Sequence, residues 1–76
     1  MAMRKYANRG GNSGVATYES QRGILTVGFL DGSYYEYTNS SAGRYAMSRM
    51  RVLAQSGQGL NSYINRSVGQ DYAAKY

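Results

Sequence analysis

The side chains in this sequence best equipped for chemistry are its arginines and tyrosines. Arg4, Lys5 and Arg9 stand close together near the start with Tyr6 among them, and Arg44, Arg49 and Arg51 gather further along. A guanidinium pairs bidentately with carboxylate or phosphate and stacks on bases and rings. Interleaved with tyrosine, it suits recognition more than bond breaking. The carboxylates are only Glu19, Asp31, Glu36 and Asp71. Histidine and cysteine are absent, which removes Ser-His and Cys-His nucleophile pairs, thiolate metal sites and the usual general base. Glu19 and Glu36 could approach each other across a sheet, but two carboxylates without a pocket or further ligands make a poor catalytic pair. Gly57-Gln58-Gly59 lacks the spacing and the preceding strand of a dinucleotide fingerprint, and no Walker lysine is present. No catalytic residue, metal or cofactor is therefore expected, and the chain reads as a binding module that is not an enzyme.

Charge and aromatic usage suggest the partner. Nine Lys and Arg against four acids leave a net charge of +5, which favours a polyanion or an acidic protein surface. The alternative is charge kept for solubility. Nine tyrosines with one phenylalanine and no tryptophan fit either a binding surface or the interior of a small sheet. No apolar run approaches the roughly 20 residues needed to span a bilayer, so no membrane partner is expected. The opening residues are charged and glycine-rich, with no apolar core of a secretory leader. Freedom from cysteine fits a reducing cytoplasm.

These residues must be positioned by one small domain. Residues 1–12 read as a flexible basic arm, in which Arg9-Gly10-Gly11 resembles a single RGG element. Residues 14–19 alternate as a first strand. Residues 24–30 form the strongest strand, with Leu25, Val27 and Phe29 on one face. Asp31-Gly32 signals a two-residue hairpin turn, and residues 33–38 form a third strand with Tyr35 and Tyr37 on one face and Tyr34 and Glu36 on the other. Tyr34 and Tyr18 could then make an exposed stacking platform. Asn39, Ser40 and Ser41 offer N-caps for a helix over 42–55, with Ala42, Tyr45, Ala46, Met50, Leu53 and Ala54 as its apolar stripe. Arg44, Ser48, Arg51 and Gln55 lie opposite, Arg49 at their flank, and Gly57 provides the stop. Residues 59–65 can hold a short second helix, with Leu60 and Ile64 turned to the sheet, and 67–76 read as a polar, frayed tail. The expected fold is α+β: a three-stranded antiparallel meander packed on one main helix, a short second helix and disordered termini, with the core in Leu25, Val27, Phe29, Ala46, Met50, Leu53 and Ile64.

Over residues 13–72 the order of elements resembles the KTSC domain family, named after a C-terminal segment of some lysyl-tRNA synthetases. The resemblance lies in Tyr18, Leu25-x-Val27-x-Phe29, Asp31-Gly32, Tyr35-x-Tyr37, Tyr45, Ala54-x-Ser56, Gly59-Leu60-Asn61, Ile64 and Tyr72. It implies a single domain over residues 13–66, a small α+β fold and no established enzymatic activity. With its basic arm, the whole chain is also similar to small phage-encoded regulators that bind host RNA polymerase. The resemblance implies a cytoplasmic regulator of transcription that docks on bacterial RNA polymerase, or on another large protein with an acidic patch. Its partner-binding residues would be Arg4, Lys5, Tyr6, Arg9, Arg44, Arg49, Arg51 and Tyr34. Two other readings stay open: an RNA- or DNA-binding module, and a sponge for a nucleotide ligand.

Overall fold

The computed structural model describes residues 3–9, 11 and 14–76. Met1, Ala2, Gly10 and Asn12 of the expected arm, and Ser13 at the expected domain start, lie outside the described residues. The fold is α+β. Strands β1 (Arg4–Lys5), β2 (Val15–Gln21), β3 (Ile24–Phe29), β4 (Tyr34–Thr38) and β5 (Ala74–Lys75) form one antiparallel sheet in chain order. Helices α1 (Asn39–Ala42), α2 (Arg44–Ser56) and α3 (Leu60–Tyr63) lie between β4 and β5, and α3 runs on into a π-helical turn, Ile64–Val68.

The meander is as expected, but both chain ends add strands to it. Arg4 pairs with Tyr18 and Lys5 with Thr17 on one edge, while Lys75 pairs with Tyr35 and Ala74 with Glu36 on the other. The region read as a mobile arm is thus partly structural. Tyr6 is buried among core side chains and its hydroxyl accepts a hydrogen bond from the Leu60 N–H at 3.2 Å. The tail is structural too. Val68 is buried, and the Tyr72 ring meets Tyr35 edge-on with centroids 4.9 Å apart.

Strand periodicity places Leu25 and Val27 on the core face, opposite Tyr37 and Tyr35 in register. β2 departs from strict alternation. The register shifts between Val15 and Thr17, and this bulge brings both Val15 and Tyr18 to the core although they stand three residues apart. Tyr18 is therefore not an exposed platform residue. The hairpin after β3 is also longer than expected. Phe29 N–H donates to the Ser33 carbonyl, and Gly32 N–H to the Phe29 carbonyl, with Gly32 at φ +91°. The result is a three-residue loop closed by a positive-φ glycine. Asp31 accepts from both the N–H and the hydroxyl of Ser33, which holds its carboxyl below the usual carboxylate range.

The main helix starts in two steps. Thr38 and Ser41 cap α1 reciprocally, Gly43 at φ +91° breaks it, and α2 follows. Gly57, in the left-handed region, ends α2 as expected. The buried face of α2 is Ala46, Met47, Met50 and Ala54. Tyr45, expected in the stripe, is 77 % exposed, and Leu53 is only half-buried. Met47 takes the core place, because at 100° per residue it lies about 20° from Ala54 and about 60° from Met50 around the helix. Ile64 is buried as expected, and Phe29 packs on the core from its margin.

Candidate binding surfaces

The helices cover one face of the sheet and leave the other open. Register carries Thr17, Gly28 and Tyr34 onto that open face in one cross-strand row, and Glu19, Thr26 and Glu36 in the next. Tyr34 is partly exposed, with its ring lying across Gly28, where an added Cβ would sit 2.8 Å from Tyr34 Cε1 and would also collide with Thr17 Oγ1. Its orientation is thus fixed by packing on a glycine. Glu19 and Glu36 flank Thr26 from opposite sides, so their backbones stand two strand spacings, about 10 Å, apart. Among the described residues no three His, Cys, Asp or Glu side chains come together as a metal site.

The structure does not bring the eight expected partner-binding residues to one surface. Tyr6 belongs to the core. Arg9 is bound to the end of α2: its Nε donates to the Ser56 carbonyl at 2.9 Å and its N–H to the Gly57 carbonyl at 2.7 Å. A cation here meets the negative end of the helix dipole and satisfies a carbonyl that no helical N–H reaches. Arg51 ties α2 to the sheet, with Nε donating to Ser20 Oγ and Nη2 to the Gln21 carbonyl. Arg4 and Lys5 project from the edge strand and are exposed. Arg44 and Arg49 are exposed on α2.

Those two arginines border the one feature of α2 that folding does not explain. Tyr45 and Val52 are 77 % and 54 % exposed. Seven residues apart, they lie two turns along the same outward line of the helix. Ser48 and Arg49 lie between them, and Arg44 lies beside them. Sequence reasoning assigned Tyr45 to the core because helical spacing alone does not say which margin of an apolar stripe faces out. A second apolar residue seven positions on, with Met47 as a rival for the interior, was the signal available.

No protein-family model, curated protein or solved structure matches this chain.

Two clefts flank these surfaces. One, of ≈ 320 Å³, lies where β4 meets the π turn and is lined by Tyr35, Tyr37, Tyr72 and Lys75 among others. Its floor is a ring cluster: Tyr35 stands edge-on to both Phe29 and Tyr72, and Tyr37 to Tyr72. Burial pushes the Tyr37 hydroxyl up to about 12, with smaller contributions from Tyr35, Tyr72 and Asp71. That hydroxyl donates to the Gly69 carbonyl at 3.1 Å. Lys75 lies 5.2 Å from the Tyr35 ring centre, and a hydrogen bond with Tyr35 raises its pKa. The other cleft, of ≈ 390 Å³, lies between α2 and the segment running from α3 into the π turn, and includes Arg49 and Arg66. No helix among the described residues is long and apolar enough to cross a membrane.

Proposed function

We propose that this chain is a non-enzymatic protein-binding regulator that docks on an acidic surface of a large protein through the outer face of α2. The observation that carries this reading is the exposed Tyr45–Val52 line with Arg44 and Arg49 beside it. Tyrosine and arginine dominate the energetics of protein interfaces, and charged neighbours steer the encounter. A standard interface takes about 800 Å² from each partner. The molecule exposes 4751 Å², so roughly one sixth of its surface is required. The α2 face alone is too narrow for that. Arg4 and Lys5, exposed on the edge strand, provide a further cationic surface for the same partner.

The similarity to small phage regulators makes bacterial RNA polymerase the first partner to test, with transcription regulation in the cytoplasm as the outcome. Immobilised chain should capture RNA polymerase from nuclease-treated bacterial lysate, and purified polymerase should bind directly. Tyr45→Ala with Arg49→Glu should abolish capture, while Arg4→Glu with Lys5→Glu should weaken it by replacing attraction with repulsion. If capture ends with nuclease treatment while purified chain binds RNA tightly, direct nucleic-acid binding replaces this reading.

A further inference from the structure

We propose that the cleft between α2 and the π turn binds a small phosphate monoester carrying an aromatic group, of the mononucleotide class. Arg49 lines the cleft from α2 and Arg66 from the π turn, and the hydroxyl-bearing residues Ser62, Tyr63 and Ser67 line it with them. Among the described residues no carboxylate lines it. Two guanidiniums from separate elements facing one recess repel each other unless an anion lies between them. Arginine forks and neutral hydroxyl donors are the set that recognises a phosphate dianion. Half-buried Leu53 and Tyr63 complete the lining and offer an apolar, partly aromatic surface to whatever the phosphate carries. The volume of ≈ 390 Å³ lies at the small end of ligand sites, which run from about 300 to 1,000 Å³.

The backbone supplies an independent observation. Gly69 N–H donates to the Ile64 carbonyl at 2.6 Å, an i→i+5 bond that defines the wide turn. Such turns are rare and concentrate at functional sites. Here the turn keeps Ile64 and Val68 buried while Asn65, Arg66 and Ser67 are all exposed between them. Arg66 and Ser67 are both cleft residues.

The test is titration of the full chain with AMP, adenosine, phenyl phosphate and an oligonucleotide lacking terminal phosphate, followed by amide NMR shifts and calorimetry. AMP and phenyl phosphate should shift the amides of residues 62–67, and adenosine should bind at least about tenfold more weakly than AMP. Arg49→Gln and Arg66→Gln should each weaken AMP binding about tenfold or more, as expected for a charge-assisted bond, with melting unchanged because both side chains are exposed. Tyr63→Leu should retain inorganic phosphate binding but lose the preference of AMP over it. Arg44→Gln, outside the cleft, should bind AMP as the parent does. Equal affinity for AMP and adenosine, or undiminished AMP binding by Arg66→Gln, would overturn the proposal. Tighter binding of the oligonucleotide than of AMP would overturn it too, assigning the arginines to a nucleic-acid backbone. The site is separable from protein docking, since Tyr45→Ala should leave AMP binding intact and Arg66→Gln should leave polymerase capture intact.

Discussion

Replacing Tyr6 gives the sharpest test of how the beginning of this chain is used. The ring is 2 % exposed and its hydroxyl accepts from the Leu60 N–H. Tyr6→Phe keeps the ring and removes the acceptor, leaving a buried N–H unsatisfied at a cost of about 1–3 kcal/mol. Tyr6→Ala adds the loss of a buried ring, about 3–5 kcal/mol, for a combined cost of about 4–8 kcal/mol. At roughly 0.05–0.15 kcal/mol per residue, a chain of 76 residues holds only about 4–11 kcal/mol in total. The phenylalanine variant should therefore fold with a lowered urea midpoint and an unchanged slope, while the alanine variant should be largely unfolded in water. Circular dichroism during urea titration reads both. An alanine variant that unfolds at the parent's midpoint, or a chain lacking residues 1–9 that melts like the parent, would refute the placement of Tyr6 in the core.

Gly57→Ala should destabilise strongly, because the position has φ +79° and the new methyl would meet the Ala7 side chain. The left-handed conformation alone costs roughly 1–2 kcal/mol, and thermal melting will show whether the collision adds to it. Met47→Ala should cost about 2–5 kcal/mol as a fully buried truncation, and Leu53→Ala clearly less, since Leu53 is half-buried; equal effects in denaturant titration would contradict this assignment of helix faces. Tyr37 holds its proton up to about 12 in the folded chain, against 10.0 ordinarily. The unfolded chain therefore deprotonates first. The stability from this group should be fully present below pH 10 and lost as pH rises from 10 to 12, and Tyr37→Phe should remove that component of the alkaline melting profile.

The meander, α2 and its glycine stop were legible because each repeats a pattern over enough residues to show a period. The Leu25/Val27 alternation and the Gly57 terminus are examples. β1 and β5 were not, since two residues have no period, and their pairing depends on what the rest of the sheet leaves unfilled. Tyr6 was concealed by its neighbours. A lone ring among Arg4, Lys5 and Arg9 reads as part of a basic segment, and only the hole at the Leu60 end of α3 reveals its role. The bulge at Ala16 reversed the face of Tyr18 for the same reason: one extra residue is invisible to a count of alternation. Of the site, Arg44 and Arg49 were read as exposed and are so. Arg9 and Arg51 carry bonds to backbone carbonyls 47 and 30 residues away, which no local pattern announces.

The closure of the sheet by both chain ends also sets the order in which a newly made chain can mature. β2, β3 and β4 adjoin in sequence and can pair as soon as they emerge from the ribosome. Tyr6, although synthesised before them, has no partner for its hydroxyl until Leu60 has been made, and the β4 edge waits for residues 74 and 75. During that interval both margins of the young hairpins present unpaired backbone, the condition under which strands of neighbouring chains join. Arg4, Lys5 and Lys75 are the residues that finally occupy those margins, and their charge also discourages a second copy from adding there. Slow translation of the segment between β4 and residues 74 and 75 should lengthen this exposed phase.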